Sequence, residues 1–475
     1  MRLRLIILLL ATTLGGCAVN LPAPTAEQLD PKATEWQASV PTANPTANQF
    51  ADKLTEQASW WQTWNDPVLS QLQAAAQQEN PTLQIAEAKI REARAKAYSA
   101  KAYLWPTIDA KADNTRSRNE MIAPGFVTDN RSVGLDASWE IDLWGGVRAA
   151  EQGLLANLAA RETEWHDARA SIAAEVANAY VTYRAYQTLA DIVALDLASR
   201  DRSLQLTQEK ASVGLASPVD VALLEASSGD GEAQLVEMQQ GQMLAVKALV
   251  ALTGLAESEV RLQLAPQSDL PRPAGFTVAS LPAEVIAQRP DVRIAAEQVK
   301  MAAADVGVAE VRRLPSISLF GAISIGEQRV GSAELSGQTW SFGPTIKLPI
   351  FNAGRLKSDR DAAQARYDQA LAAYQQVVRQ AVREVEENMV RLEASAKRVV
   401  ATERSVVGYQ KQLASNEAMW QAGMSSLLDL EISRRFLLTA QTRQINLKRE
   451  QLANWIALYK SVGGEWPQDK TATAE

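Results

Sequence analysis

Residues 367–392 read YDQALAAYQQVVRQAVREVEENMVRL, and Tyr367, Leu371, Tyr374, Val378, Ala381, Val385, Met389 and Leu392 step through them by fours and threes. That is the period of a coiled-coil seam, one apolar stripe along a helix whose other faces are polar. The stripe lies in a stretch without proline between Pro349 and Pro467, rich in Ala, Gln, Glu, Arg and Leu. A second such stretch separates Pro124 from Pro218. Helices are expected from about Arg148 to Val213 and from about Lys357 to Ala422, each roughly 65 residues or on the order of 100 Å at 1.5 Å per residue. No compact globular domain contains such a rod, and its seam needs a neighbour along the whole length.

Each rod is expected to end at a glycine: Val213-Gly214-Leu215-Ala216-Ser217-Pro218 after the first, Ala422-Gly423-Met424-Ser425-Ser426 after the second. Glycine supplies a left-handed C-cap, and serine caps the helix that returns. These tips lie 209 residues apart, and the same offset relates Pro81 to Pro290, Pro106 to Pro315, Gly134 to Gly343, Gly145 to Gly354, Asp220 to Asp429 and Gly254 to Gly463. Such a period is far too long for a solenoid unit, so the chain is a duplicated half-molecule. Residues 60–264 and 281–466 are taken as the two repeats, with a Pro-containing linker at 265–280 and a polar tail at 467–475.

In each copy a helical stretch opens at Pro81 or Pro290 and closes at Pro106 or Pro315, after which the period changes to two. Val133, Leu135, Ala137, Trp139, Ile141 and Leu143 alternate with polar residues, and Trp340, Phe342, Pro344, Ile346, Leu348 and Ile350 do so in the second copy. Ile108, Ala110 and Ala112, and Ile317, Leu319, Ile323 and Ile325, give the preceding strands. Strands of about ten to twelve residues with one apolar face fit a transmembrane barrel wall, and equally a soluble sheet with one wet face. The unpartnered rods favour the barrel. Four strands cannot close one, and open edges are not tolerated in lipid, so the chain must oligomerise, with trimer or tetramer giving twelve or sixteen strands. The expected class is mainly α with membrane β, a duplicated β-α-β hairpin repeat.

The first residues, Met-Arg-Leu-Arg followed by an apolar run to Leu14 and Gly15-Gly16-Cys17, form a signal peptide over 1–16. Cys17, the only cysteine, is placed as in a bacterial lipobox and is the candidate lipidation site. Two or more acyl chains, at about 0.8 kcal/mol per buried methylene, anchor stably where one does not. Residues 17–59, rich in Pro, Ala and Thr, read as an extended tether. No later window holds 18 consecutive apolar residues, so any membrane crossing must use strands. The net charge of −7 gives no sign of a nucleic-acid partner. His166 is the only histidine, and no phosphate loop or paired-carboxylate cleft stands out, so neither catalytic nor metal residues are assigned, no cofactor is expected and an enzyme is disfavoured.

The two-copy plan, the stretch Arg289-Pro290-Asp291-Val292-Arg293-Ile294-Ala295-Ala296-Glu297-Gln298, the stretch Ile350-Phe351-Asn352-Ala353-Gly354-Arg355 and the glycine tips resemble the outer membrane factor family of TolC type. The lipobox resembles that family's NodT-like lipoprotein branch. The resemblance implies a homotrimer whose twelve-stranded barrel continues into a long periplasmic α-helical barrel. It also implies a passive exit duct in a tripartite efflux pump, with a periplasmic adaptor (membrane fusion) protein and an inner-membrane transporter as partners. On that resemblance Val213, Gly214 and Leu215, with Gly423 and Met424, stand where tips meet the adaptor. Asp429 stands where the family narrows its periplasmic mouth with carboxylates, and Asp220 is its repeat partner. A second family acid is Ile432 here, neighbouring Glu431 is expected to point elsewhere on the helix, and the tip clamp of Tyr and Arg is replaced by Ala422 and Ser425. Trp105 and Trp144, near strand ends, are candidates for an interfacial belt against outer membrane lipid. Two other readings compete: the exit duct of a type I protein secretion system, and a lipid-anchored periplasmic coiled-coil scaffold without a pore.

Overall fold

The computed structural model describes residues 22–25, 36–38, 60–120, 125–266, 269–272 and 282–464. Cys17, most of the tether, part of the linker and the tail lie outside the described residues. A 3-10 turn at Trp60–Trp64 precedes α1 (Pro67–Glu79), α2 (Pro81–Ala102), β1 (Thr107–Asn119), β2 (Phe126–Ile141), α3 (Gly146–Ser212) and α4 (Pro218–Thr253). There follow α5 (Glu257–Leu264), α6 (Pro282–Gln288), α7 (Pro290–Val311), β3 (Ser316–Val330), β4 (Ala333–Lys347), α8 (Arg355–Gln421) and α9 (Leu427–Ser461).

The offset of 209 is written into the elements. Helices α3 and α8 hold 67 residues each, and α2 and α7 hold 22 each, with both ends of each pair displaced by that offset. One hydrogen bond also recurs with it: Asn80 Nδ2 donates to the Leu252 carbonyl at 2.9 Å, and Arg289 Nη1 donates to the Ser461 carbonyl. In both copies, therefore, the residue before the opening proline ties the start of one helix to the last turn of the returning one.

The chain divides into two compact units. The first comprises the described parts of Met1–Asp30, Glu87–Thr163 and Arg293–Val377, including the sheet; the second comprises those of Pro31–Ala86, Glu164–Val292 and Val378–Glu475. Helices α3 and α8 contribute to both.

In the second unit Trp60, Trp61 and Trp64 pack with Leu69, Leu72, Tyr180, Leu249 and Ile456, and the Trp60 ring stacks on Tyr459 with centroids 4.8 Å apart. Of the seam residues, Tyr367, Tyr374, Val378, Ala381, Val385, Met389 and Leu392 are buried, and Leu371 is half-buried. Val385, Met389 and Leu392 meet Leu458 of the returning helix, as the heptad spacing demands. Gln37 donates its backbone N–H to Glu386 Oε1 at 2.7 Å, so at least this point of the tether lies against α8.

The strands form one antiparallel sheet in the order β1-β2-β3-β4. At 13 to 16 residues they are longer than expected, because pairing continues beyond the apolar stretch into polar sequence.

Candidate functional site

In the first unit, pairing puts Ile108 beside Ala137, Val133 beside Ile325, Leu135 beside Ile323, and Ile323 beside Trp340, so the apolar residues of all four strands share one face. Trp340, Phe342, Ile346, Ile325 and Val133 lie exposed on it in the single chain. Beyond Ile325 the same face turns charged: Glu327 and Arg329 follow on β3, Asp129 and Arg131 on β2, Arg116 and Arg118 on β1. From Ile317 to Ile325 the band covers roughly 25–30 Å at about 3.3 Å per residue, which a tilt near 40° shortens to on the order of 20–25 Å.

The opposite face is polar. Asp109 and Asp136 sit directly across from one another, followed in the same row by Ala322 and Ser341. Facing like charges repel, which only a watery, cation-accessible face makes tolerable. Phe320, a large apolar side chain within this face, lies across from Gly343. The polar face is also where the strands crowd: a Cβ on Gly134 would lie 2.6 Å from the Ile323 carbonyl oxygen, and one on Gly326 would lie 3.0 Å from that of Arg131. Strands β1 and β4 each pair on one side only, leaving two open edges.

At the helix side of the sheet Trp105 is exposed, whereas the Trp144 indole N–H donates to the Pro315 carbonyl at 2.6 Å and the ring is half-buried. Among the described residues no helix is long and apolar enough to cross a membrane.

The tips lie in the second unit. Gly214 and Gly423 have φ of +77° and +74°, a conformation that costs other residues on the order of 1–2 kcal/mol. Val213, Leu215 and Met424 are exposed around them. The tips are neighbours, since the Lys210 ammonium stands 5.3 Å from the centroid of the Trp420 ring.

Each returning helix opens with a capping box. Ser217 and Asp220 form the first, Ser426 and Asp429 the second. The Asp429 carboxylate accepts from Ser426 Oγ at 2.6 Å and from the Ser426 backbone N–H at 3.3 Å, and Asp429 N–H donates to Ser426 Oγ at 3.1 Å. The Ser426 hydroxyl and then its backbone N–H hold this carboxyl below the ordinary carboxylate range. Stabilisation by the cap is therefore present above the unfolded-state value and is lost as pH falls through the lowered folded one.

Glu431 points inward: its side chain is 8 % exposed and accepts from Arg434 Nη1 at 2.8 Å and from Ser227 Oγ at 2.7 Å. Arg434, Arg200 and Asp196 complete a buried cluster that sequence reasoning misses. Burial raises the Asp196 carboxyl, with Arg200 opposing it. Asp196–Arg200 and Glu431–Arg434 are spaced by four and three, like ordinary exposed helix pairs, so charge spacing carries no signal. The run Ser227-Ser228 with Gly231 does, because small residues on one helix face make room for something large.

Residues 72–255 and 281–464 match the family model described as outer membrane efflux protein. The chain is 30 % identical over 463 residues to the toluene efflux pump outer membrane protein TtgC of Pseudomonas putida, covering 96 % of this chain and 94 % of that one. It is 27 % identical to the pyoverdine export outer membrane protein OpmQ of Pseudomonas aeruginosa, over 87 % of this chain and 89 % of that one. Among solved structures, the outer-membrane channel OprN superimposes with a TM-score of 0.83 at 26 % identity, covering 95 % and 99 % of the two chains. The open state of the Neisseria gonorrhoeae MtrE outer membrane channel does so with 0.77 at 25 % identity, covering 94 % and 98 %.

Proposed function

Since the chain belongs to the outer membrane efflux protein family, whose model matches both of its halves, we propose that it works as a homotrimer whose four-stranded sheets close a twelve-stranded barrel. It is the outer membrane component of an efflux pump in a Gram-negative envelope, as its relatives are. The observation that carries the closed-ring reading is the sheet itself, with one apolar face, one wet face and two unpaired edges, and the number three follows the family resemblance. Lipid requires those edges to be filled, and in a ring β4 of one copy meets β1 of the next. The apolar band then faces lipid and the Asp109–Asp136 row faces the lumen.

Conduction in this reading is passive, and no residue does covalent chemistry. Solute specificity comes from the partners: a periplasmic adaptor seated on the tips around Gly214 and Gly423, and an inner-membrane transporter supplying energy. Cys17 carries the lipid anchor. Three Asp429 carboxylates, one per copy, line the periplasmic mouth, repel one another and attract cations.

Two measurements test this. Cys17→Ala protein should still need detergent for release from outer membranes; extraction by salt or alkali alone would favour a scaffold without a pore. In planar bilayers Asp429→Ala should raise single-channel conductance and relieve block by divalent cations. Unchanged conductance and block would place the mouth elsewhere.

A further inference from the structure

In the second unit a cavity of about 380 Å³ lies between the start of α1, one face of α3 and the described part of the linker, within the size range of small-molecule sites. Trp64, Tyr180 and Arg184 line it together with Pro67, Pro266 and Pro271. Arg184, on α3, is wholly buried. Its Nε donates to the Tyr180 hydroxyl at 3.1 Å, and its Nη1 donates to Gln187 Oε1 at 2.8 Å and to the Leu264 and Pro266 carbonyls at 3.2 and 2.8 Å. None of these acceptors is charged. Arg184 Nη2 is buried with no acceptor among the described residues, and so is the indole N–H of Trp64.

The polar groups beside Arg184 are already engaged. The Tyr180 hydroxyl donates to Asp66 Oδ2, while Asp66 Oδ1 accepts from the Val68 and Leu69 N–H groups and so spends its charge on the N-terminus of α1. Burial, and then the Asp66 carboxylate, push the Tyr180 hydroxyl above its ordinary range, so it stays protonated and turns a lone pair to Arg184. Two donors and one positive charge are left over on the wall.

Burying a guanidinium without a carboxylate is costly, and each orphaned donor adds about 1–3 kcal/mol. The repeat does not require that cost. The residue 209 positions beyond Arg184 is Glu393, which is half-buried and pairs with Lys397 at 2.6 Å. The counterpart of Tyr180 is Met389, which packs with Val385 and Leu392, and Trp36 lies against that cluster. In the second copy, therefore, apolar packing fills the place where the first copy buries a cation.

We propose that this cavity binds a monocarboxylate with a small apolar body, its carboxylate held by Arg184 Nη2 and Trp64 Nε1 and its body against the proline walls. A carboxylate brings two acceptor oxygens and the single negative charge that the guanidinium lacks. A phosphate dianion would bring an excess charge beside Asp66. Asp269 and Arg272, exposed at the rim, offset one another and leave Arg184 to select the ligand. Bound there, the ligand joins the linker between the repeats to α1 and α3. The site does not depend on the trimeric reading.

The test is isothermal titration of the purified full-length protein in detergent with benzoate, and with benzamide as its uncharged counterpart. Benzoate should saturate one site per chain by on the order of 10 mM. Benzamide should bind on the order of tenfold more weakly, because it brings no charge. Trp64→Phe deletes one N–H and keeps an aromatic wall, so it should weaken benzoate on the order of tenfold. Its thermal stability without ligand should stay level or rise, since a buried unpaired donor has gone. Arg184→Gln should abolish benzoate binding. Should that variant not fold, Trp64→Phe and the benzamide comparison decide. The site is overturned by the absence of saturable benzoate binding, by benzamide binding as tightly as benzoate, or by either variant binding benzoate as tightly as wild type.

Discussion

Phe342→Arg should eliminate the assembled protein from the outer membrane, and Ser341→Arg, one residue away, should not. Phe342 lies opposite Gly321 within the apolar band and its ring stacks on Trp340 at 5.7 Å. An arginine near the bilayer midplane on the lipid face of a barrel costs about 2–4 kcal/mol, which the three copies of the proposed trimer multiply to on the order of 6–12 kcal/mol. That rivals the whole stability of an ordinary domain. Position 341 belongs to the other face, in the row that holds Asp136 and Asp109, where a guanidinium meets water and carboxylates. Its expected effect is a weaker preference for cations in the open channel and an unchanged yield of trimer. Heat-modifiable trimer in outer-membrane fractions, read on semi-native gels, separates the two variants. If both assemble, or if neither does, the assignment of faces is wrong.

That contrast depends on parity alone, which is why the strand faces are legible in the sequence. Alternation over Val133–Leu143 and Trp340–Ile350 needs no tertiary information, and the registers through β3 put Val133 to Ile141 and Trp340 to Ile346 on one face. The rod lengths are legible for a similar reason: proline-free helix formers between Pro349 and Pro467 and a glycine at Gly423 mark a helix that ends at Gln421. Strand ends are harder, since Asp129, Arg131, Glu327 and Arg329 continue the ladder where the apolar signal has stopped. The residues around the tips divide in the same way. Gly214, Gly423 and the two capping boxes are local devices whose chemistry is visible in a few consecutive letters. The cluster of Arg200, Glu431 and Arg434 draws on residues more than 200 positions apart, and on a single helix each of its ion pairs looks like a solvated one. Helix geometry alone turns Glu431 to another side of the helix than Asp429 without saying what it meets, and the structure buries it because Ser227 and Arg434 supply its partners.

The Arg-Pro-Asp stretch that makes the family recognisable is a joint, and its loss should destabilise the second copy more than the matching loss destabilises the first. Arg289 is 7 % exposed at its side chain, and burial alone would weaken its charge; Asp291 and Glu384 more than compensate, raising its hold on the proton. Its fork donates to Asp291 at 3.0 and 2.8 Å and to Glu384 at 2.7 Å, while Nη1 takes the Ser461 carbonyl. Arg289→Ala removes all of these at once and leaves two carboxylates facing each other. Both carboxylates are 44 % exposed, so water recovers part of the loss, and about 2–3 kcal/mol per chain is expected rather than the 3–5 of a fully buried pair. Asn80 occupies the same place in the first copy with one bond to the Leu252 carbonyl and one from the Thr82 N–H, both 2.9 Å, so Asn80→Ala should cost only about 1 kcal/mol. Arg289→Lys should recover little, because an ammonium cannot serve two carboxylates and a carbonyl with the geometry of a planar fork. Thermal unfolding of the purified protein should rank the variants as wild type, Asn80→Ala, Arg289→Lys and Arg289→Ala in falling order. A lysine variant as stable as wild type would reduce Arg289 to a point charge, and an asparagine variant weaker than Arg289→Ala would place the stronger joint in the first copy.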